Sequence, residues 1–334
     1  MENKLAYVFR RLLWVPPTLF IVSFLTFTMA RLGPGDPIRI QAGQFRDDEA
    51  FARVRAAKGL DKPLQEQYFI YMKGVLTRGD LGESFRYQGY DVSEIIFPAI
   101  WRSMQYNTAA ILITLGLGIP LGVFAATRQG TWLDPAAISS FLFFTSIPTL
   151  ITVYVMLYVF ALKLGWFPAR GWPQDCAVQL QFLPTQYQCI GVISLEAVIP
   201  ILTFAIGGVA GWARFTRAFT LDVLKEDYIR TAHSKGLPAR TVMIRHVLRN
   251  AMLPLTTMLG FALISIYEGS FFVETITGIP GYGRLTIEAV NGRDYDMIMA
   301  VALIGASTFV IAMIFIDIMY TLIDPRIRYG SRSR

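Results

Sequence analysis

The run Ala136–Leu162, AAISSFLFFTSIPTLITVYVMLYVFAL, contains no charged side chain. A helix needs roughly 20 apolar residues to cross a hydrocarbon core of ~30 Å, and this run is long enough to do so. A soluble protein of 334 residues could bury a core without any such run. We therefore predict that this stretch spans a membrane.

Five more apolar runs lie along the chain. They are Leu12–Ala30, Asn107–Thr127, Ile190–Trp212, Met252–Tyr267 and Met297–Ile316. Charged residues make up only 16% of the chain, against about 25% in soluble domains. Together the six runs predict an all-α polytopic membrane protein with six transmembrane helices, of which the fifth continues to about Val273.

The distribution of Lys and Arg predicts the orientation of these spans. Basic residues precede the first span, crowd the connection between spans four and five, and follow the sixth span. They are Lys4, Arg10 and Arg11; Arg214, Arg217, Lys225, Arg230, Lys235, Arg240, Arg245 and Arg249; and Arg326, Arg328, Arg332 and Arg334. Six spans put the three regions on one side, and the positive-inside rule makes that side the cytoplasm, so both termini are expected there. The net charge of +7 is then a topology signal, and no nucleic-acid partner is predicted.

The same reasoning divides the chain into segments. The prediction is a cytoplasmic N-terminus at 1–11, a first span at 12–31, an extracytoplasmic segment at 32–104, a transmembrane core of five spans at 105–323 containing a cytoplasmic loop at 213–251, and a cytoplasmic tail at 324–334. Within the extracytoplasmic segment, an amphipathic stretch at Leu64–Leu76 is expected to lie on the membrane surface.

Two cysteines, Cys176 and Cys189, share the predicted outer loop between spans three and four. An oxidising outer compartment would permit a disulfide that closes a loop of about a dozen residues and stabilises the fold by ~3 kcal/mol. Two free thiols are the alternative, and the sequence leaves both open.

Motifs for catalysis, phosphate binding or metal binding are missing from the sequence. It contains no G-x-x-x-x-G-K-[ST] phosphate loop, no H-E-x-x-H, no C-x-x-C and no G-x-S-x-G. The two histidines, His233 and His246, fall in the basic inner loop. We therefore predict no catalytic, cofactor-binding or metal-binding residue in this chain.

The inner loop is the most informative element. From Gly211 to Leu255 the chain reads GWARFTRAFTLDVLKEDYIRTAHSKGLPARTVMIRHVLRNAMLPL. A helical segment at Glu226–Lys235 is expected to end at Gly236, a natural helix stop, with Pro238 just beyond. A second amphipathic helix is predicted at Arg240–Met252. The short helix could lie on anionic lipid, or it could dock another protein and pass its movement to the spans.

The loop resembles the cytoplasmic EAA loop of binding-protein-dependent ABC importer permeases. In its simplest form that loop reads E-A-A, three residues, then G; here Ala232 and Gly236 match and Arg230 stands in place of the glutamate. The longer form found in peptide permeases fits closely. The matching segments are Asp227-Tyr228-Ile229-Arg230-Thr231-Ala232, Lys235-Gly236-Leu237, Arg245-His246, Leu248-Arg249-Asn250-Ala251 and Leu253-Pro254.

Further segments resemble the B-type permease subunit of dipeptide, oligopeptide and nickel importers. They are Leu32-Gly33-Pro34-Gly35-Asp36-Pro37, Gly59-Leu60-Asp61-Lys62-Pro63, Gly79-Asp80-Leu81-Gly82-Glu83-Ser84, Ser146-Ile147-Pro148, Val273-Glu274-Thr275-Ile276, Pro280-Gly281-Tyr282-Gly283-Arg284, Arg293-Asp294-Tyr295 and Asp324-Pro325-Arg326-Ile327-Arg328. The resemblance covers nearly the whole chain. It departs in the cysteine-bearing outer loop, which is long for the family.

The resemblance implies a type I ABC importer permease fold and a set of partners. These are a homologous C-type permease subunit, two ABC ATPase subunits inside the cell, and an extracytoplasmic substrate-binding protein, with membrane lipid around the spans. ATP and Mg²⁺ would bind to the ATPase subunits, so this chain would be neither an enzyme nor a cofactor-binding protein. The expected location is the cytoplasmic membrane of a bacterium or archaeon.

The resemblance also implies a role for the short inner helix, which would contact an ATPase subunit. The residues expected at that coupling contact are Glu226, Asp227, Arg230, Thr231, Ala232, Lys235, Gly236 and Leu237. Ser146 and Tyr154 are candidates for lining the translocation pathway. Peptides are the expected cargo, and nickel chelates and oligosaccharides remain open.

Two other classes of function remain as alternatives. An ion-driven secondary transporter would carry ionisable side chains at the middle of its spans and often an internal repeat. The runs here are nearly free of charge and show no repeat. A structural membrane scaffold would leave the capped inner helix without a purpose.

Overall fold

The helices of the computed structural model follow the apolar runs of the sequence. The structure describes residues 13–32, 53, 55–56, 59–173 and 191–323. Within these ranges the extended pairing is limited to one isolated antiparallel bridge between Glu83 and Asp91. The described chain is therefore nearly all helical, as predicted.

The helices are numbered here in chain order. They are α1 (Val15–Leu32), α2 (Leu64–Arg78), α3 (Val92–Thr127), α4 (Leu133–Ser146), α5 (Thr149–Met156, continued by a π-helical stretch at Leu157–Lys163), α6 (Val198–Leu224), α7 (Asp227–Ser234), α8 (Ala239–Thr241, a π-helical stretch at Val242–Leu248, then Arg249–Glu268), α9 (Phe271–Thr277), α10 (Tyr282–Gly292) and α11 (Tyr295–Ile323). Two short 3₁₀ turns, Gly191–Ile193 and Leu195–Ala197, precede α6.

Length and apolar composition allow five segments of the described chain to cross a membrane. They are Val15–Leu32, Val92–Thr127, Leu195–Leu224, Ala239–Thr277 and Tyr295–Ile316. The pair formed by α4 and α5 is a sixth if the two helices together make one span. The predicted all-α polytopic membrane fold is confirmed, with five candidate spans in the described chain, or six if the bent pair counts as one.

The run that first indicated a membrane span is not a single straight helix. α4 ends at Ser146, α5 begins at Thr149, and the two axes differ by 93°. Pro148 disfavours a helical conformation at Ile147, whose backbone is extended (φ −80°, ψ 119°). The proline thereby divides the predicted third span into two helices.

Other helices are longer than their apolar runs. α3 has 36 residues and begins at Val92, well before the predicted start at Asn107. At 1.5 Å per residue it is about 54 Å long, which exceeds the hydrocarbon thickness. α6 likewise continues past Trp212 to Leu224. Hydropathy predicts only the apolar part of each helix, whereas α3 and α6 continue beyond their apolar runs.

The chain divides into two compact units. The first comprises Met1–Arg102, Glu268–Phe271 and Pro280–Ile311, and the second comprises Ser103–Tyr267, Phe272–Ile279 and Ala312–Arg334.

In the first unit, the predicted amphipathic stretch forms α2 and packs on the first span. Tyr68 of α2 is buried against Phe27 of α1 and Met299 of α11. Its hydroxyl shares a hydrogen bond of 2.8 Å with Ser23 of α1. Aromatic packing and one buried hydrogen bond therefore fix α2 against two spans.

A buried carboxylate, Asp294, also organises the first unit. It accepts hydrogen bonds from the backbone N–H groups of Phe85 (3.0 Å) and Arg86 (3.2 Å) and from the hydroxyl of Ser84. The N–H of Met297 in the first turn of α11 donates to it over 3.3 Å. One side chain thus satisfies the start of a helix and a distant loop, and charge-assisted hydrogen bonds of this kind are strong.

In the second unit, glycines let α3 and α6 approach closely. A β-carbon added at Gly122 would lie 2.6 Å from the Cβ of Thr216 and 3.0 Å from the backbone nitrogen of Arg217. One at Gly118 would lie 3.0 Å from the carbonyl oxygen of Val209. Such contacts stabilise helix pairs in lipid, where no hydrophobic force drives the helices together.

A second buried acid, Glu274, lies in the second unit on α9. The hydroxyls of Ser103 and Tyr106 on α3 each donate a hydrogen bond of 2.7 Å to its Oε1. Asn107, on the same face of α3, donates to the carbonyl oxygens of Ser265 (3.0 Å) and of the residue that follows it near the end of α8. Polar side chains on one face of α3 therefore bind both the carbonyl oxygens near the end of α8 and the acid of α9.

The glycine contact predicts a destabilised variant with a matched control. Gly122→Ala should lower the stability of the purified protein by about 1–3 kcal/mol, because the added methyl overpacks the α3–α6 contact. Gly116→Ala lies on the same helix, where nothing comes within 4 Å of an added β-carbon. Its melting temperature in detergent should match or exceed that of the wild type. Equal losses for the two variants would show that the helices do not meet at Gly122.

The buried acid predicts a second pair. Glu274→Ala removes the acceptor of two buried hydroxyls, those of Ser103 and Tyr106. Each lost hydrogen bond should lower the free energy of unfolding by about 1–3 kcal/mol. Glu274→Gln keeps an acceptor oxygen at the same place and should lose much less. Thermal unfolding followed by intrinsic fluorescence would compare the two variants. An alanine variant as stable as the glutamine variant would show that the hydrogen bonds to Glu274 do not stabilise the fold.

Candidate coupling site

The short inner helix α7 is anchored by two side chains. Ile229 is 2% exposed and Ala232 6%, and their spacing of three residues puts them on one face. They pack against Val242 and Val247 of α8. An eight-residue helix is not stable alone in water, so this apolar contact is what holds it.

The anchor of α7 joins two transmembrane helices. Val223 and Leu224 at the end of α6 pack against the same apolar cluster as the two residues of α8. The cluster therefore touches the end of one span and the start of the next. Such close packing has low compressibility, so the cluster ties α7 mechanically to both helices.

The opposite face of α7 is exposed. Asp227 and Arg230 have side chains that are 94% and 78% exposed, and they form a loose ion pair of 3.4 Å. Such a surface pair contributes little to stability. Thr231 and Ser234 are exposed beside them. This polar face is free to contact another protein.

The C-terminus of α7 ends in a Schellman motif. Gly236 has φ +76°, and its N–H donates to the carbonyl of His233 over 2.9 Å. The N–H of Leu237 reaches back to the carbonyl of Ala232, and its side chain packs on the same cluster. Both hydrogen bonds and the apolar contact are those of the motif, which needs a left-handed residue at the glycine position. The predicted stop at Gly236 is confirmed.

The residues predicted for a coupling contact fall into two groups. Those on the exposed side are Glu226, which precedes the helix, together with Asp227, Arg230, Thr231, Lys235 and Gly236. Ala232 and Leu237 lie on the inner side, against the apolar cluster. These two position the helix, whereas the first six form its accessible surface.

Tyr228 is a member of this surface that the sequence did not single out. It is 42% exposed, and its hydroxyl accepts a hydrogen bond of 2.8 Å from Asn250 of α8. Asn250 also donates to the carbonyl oxygen of His246. An aromatic residue beside Glu226 and Asp227 was the available signal, but its partner Asn250 lies 22 positions away and could not be read from spacing.

The two pathway candidates flank the bend between α4 and α5. Ser146 ends α4, where its hydroxyl donates to the carbonyl of Leu142 over 2.7 Å, and Tyr154 on α5 is 56% exposed. Both side chains are accessible in this chain. Their predicted place in a pathway stays a prediction.

Glu274 is the buried acid that sequence reasoning left without a role. It follows the apolar residues Phe271, Phe272 and Val273 at the end of the fifth candidate span, and an acid within a membrane segment is a functional hypothesis by default. Its partners Ser103 and Tyr106 are on α3, far away in sequence. The acid itself was therefore visible in the sequence, but its partners were not.

Several predictions fall outside what the structure covers. Cys176 and Cys189 lie outside the described residues, as do the predicted cytoplasmic ends at 1–11 and 324–334. The disulfide stays a prediction, to be checked by a mobility shift of the purified protein on reduction. Among the described residues no group of three His, Cys, Asp or Glu side chains is placed to hold a metal ion.

Comparison with known proteins identifies the family. The family described as "Binding-protein-dependent transport system inner membrane component" matches residues 118–329, and its N-terminal companion matches residues 4–91. The oligopeptide transport system permease protein OppB of Haemophilus influenzae is 33% identical over 97% of this chain and 100% of its own length. The glutathione transport system permease protein GsiC of Escherichia coli is 34% identical over 97% of this chain and 99% of its own.

A solved structure shares the fold. The MetNI methionine ABC transporter, solved in inward-facing conformations, matches with a TM-score of 0.50 and 16% identity over 70% of this chain and 97% of its own. That identity supports the fold alone. The family match, the full-length relatives and the anchored helix between two spans agree, and the chain belongs to the inner membrane components of binding-protein-dependent transport systems as an ABC importer permease.

Proposed function

We propose that this permease is the B-type subunit of a peptide importer and forms the translocation pathway with a homologous C-type subunit. The observation that carries the proposal is α7, a capped helix whose inner face is anchored to two spans and whose outer face is polar and accessible. The names of the relatives, which refer to oligopeptides and glutathione, support peptides as the cargo.

Two ABC ATPase subunits supply the energy in this proposal. They bind ATP and Mg²⁺, and the chain described here contributes no catalytic group. One ATPase subunit grips the exposed face of α7, with Asp227, Arg230 and Thr231 at the centre of the contact. Closure of the ATPases then pushes α7, and the apolar anchor formed by Ile229 and Ala232 passes the push to α6 and α8.

The orientation of the permease in the membrane is assigned from the distribution of Lys and Arg. The basic loop, and with it α7, faces the cytoplasm of a bacterial or archaeal cell, together with both termini. The segment 32–104 and the hairpin 274–296 then face outward, where an extracytoplasmic substrate-binding protein delivers the cargo. Ser146 and Tyr154, on either side of the bend at Pro148, line the pathway.

The test of the subunit assignment is copurification. The tagged permease, extracted in mild detergent, should retain a second permease and ATPase subunits whose hydrolysis rises when the loaded binding protein is added. An ion-driven transporter would purify without ATPases and would respond to an ion gradient. Binding measurements with peptides, nickel chelates and oligosaccharides on the cognate binding protein would identify the cargo.

Charge reversal on the exposed face of α7 should disturb ATPase contact but not the fold. Arg230→Glu reverses the charge of a side chain that makes only a loose ion pair with Asp227, so the fold should tolerate it. It should weaken ATPase binding by more than about 1 kcal/mol, roughly fivefold. Arg240→Glu makes the same reversal in the same loop, beyond the cap. ATPase affinity for permease in nanodiscs is the measurement, and equal effects of the two reversals would contradict a contact centred on α7.

Substitution of Gly236, which ends α7, should uncouple ATP hydrolysis from substrate uptake. Gly236→Val forces a β-branched residue into the left-handed region, whereas Gly236→Asn places there a residue that tolerates it. The valine variant should insert into the membrane and assemble, but substrate-stimulated uptake in proteoliposomes should fall sharply while basal ATP hydrolysis persists. The asparagine variant should keep most of its uptake. Normal uptake by the valine variant would refute the coupling role of the cap.

A further inference from the structure

An acid interrupts the fifth candidate span of the chain. Glu268 is the last residue of α8, inside the segment Ala239–Thr277 that is long and apolar enough to cross a membrane. Apolar side chains lie on both sides of it in the sequence, with Tyr267 before it and Phe271 and Phe272 soon after. The acid therefore lies within the apolar part of the chain.

The carboxylate of Glu268 has no partner of its own. The side chain is exposed, and within the described part of the chain it makes neither a hydrogen bond nor an ion pair. It also lies at the C-terminus of a 20-residue helix, where the backbone carbonyl groups carry a partial negative charge. A carboxylate at this end of a helix attracts a cation and repels an anion.

The last turns of α8 have a buried face and an exposed face, each with residues at positions i, i+4 and i+7. The buried face consists of Gly260, Ile264 and Tyr267. The exposed face consists of Phe261, Ser265 and Glu268. An aromatic ring, a hydroxyl and a carboxylate thus follow one another along the exposed face, which we call the polar stripe.

Contact with lipid does not explain the polar stripe. An ionised carboxylate in hydrocarbon is costly, and acids within spans almost always face the interior of a helix bundle or a water-filled cavity. On α3, by contrast, the exposed side chains Leu112, Ile113 and Leu117 are all apolar, as expected for a surface in lipid. The polar stripe therefore faces water or another polypeptide.

A water-filled pathway fits the polar stripe better than a permanent contact with a partner subunit. A buried ion pair between subunits loses the hydration of both charges, and the attraction between them often does not repay that cost. In a pathway, water hydrates the carboxylate between turnovers and a cation binds only in passing. The polar stripe is therefore suited to a transient cationic ligand.

The groups of the polar stripe match a primary ammonium ion. Ser265 and Glu268 are three residues apart, so their side chains are neighbours on the helix surface. The hydroxyl of Ser265 donates to the carbonyl of Ala262 over 2.7 Å, which leaves its oxygen free to accept. An ammonium ion has three N–H donors, enough for this oxygen and for the carboxylate. Phe261, 51% exposed and one turn away, adds an aromatic surface.

We propose that Glu268 lines the translocation pathway and binds the protonated α-amino group of the peptide cargo. The inference rests on the proposed function as a peptide importer, because the α-ammonium group is the cation that every unmodified peptide carries. Ser265 accepts a second hydrogen bond from this group, and the ring of Phe261 lies beside the first side chain of the peptide. The permease itself then selects peptides with a free N-terminus.

The first experiment asks whether the polar stripe faces water and attracts cations. With Cys176 and Cys189 replaced by serine, Ser265→Cys in the assembled transporter would be labelled with a cationic or an anionic water-soluble methanethiosulfonate. Adding Glu268→Gln should lower the ratio of the cationic to the anionic rate about tenfold, because it removes the nearby negative charge. Leu112→Cys, the control on the apolar face of α3, should stay unlabelled.

The second experiment identifies the ligand. Trialanine should protect Ser265→Cys from the cationic reagent, and N-acetyl-trialanine at the same concentration should not, because acetylation removes the positive charge. Uptake of trialanine in proteoliposomes should fall about tenfold in Glu268→Gln, the effect of one charge-assisted hydrogen bond, and much less in Glu268→Asp. The melting temperature of Glu268→Gln should equal that of the wild type.

Three results would overturn the inference and leave the proposed function intact. They are an unlabelled Ser265→Cys, equal protection by the two peptides, and a melting temperature lowered by Glu268→Gln, which would pair the carboxylate with a partner subunit. A wild-type transporter that imports no peptide would refute the proposed cargo itself, and this inference with it.

Discussion

Lipid offers no hydrogen-bond partner to a peptide group, and this constraint shapes the whole described chain. A helix makes all its backbone hydrogen bonds within its own segment. Each isolated apolar run of this chain can therefore cross the membrane only as a long helix. The cost appears wherever a helix has to stop or bend inside the apolar region. Near the end of α8 the chain supplies a side chain to do what the backbone cannot: Asn107 donates to the carbonyl oxygen of Ser265.

The same constraint explains what could be predicted from the sequence. Apolar length and the stop at Gly236 are local properties, and both appear in the structure where the sequence placed them. The extra length of α3 did not show in the hydropathy, because Glu94, Arg102 and Gln105 interrupt the apolar pattern before Asn107. The size of the bend at Pro148 is set by packing, since a proline shows that a helix is interrupted but not by what angle.

The candidate coupling site likewise has features that the sequence predicted and features that it did not. The helical pattern and its glycine stop identified α7 and the residues around it. Spacing alone did not show that Ala232 and Leu237 face inward and form the anchor with Ile229. Whether a residue offers contact surface or supports one depends on partners in α6 and α8, which lie on either side of the loop.

The π-helical stretch Val242–Leu248 connects the anchor of α7 to the rest of α8. A π-helix winds about one residue more into each turn than an α-helix, and such segments often occur at functional sites. One residue corresponds to about 100° of rotation in an α-helix. Rewinding this stretch into α geometry would therefore turn Val242 and Val247 about the helix axis relative to the span that follows. In the proposed mechanism, a push on α7 would then rotate the start of α8 about its axis as well as displace it.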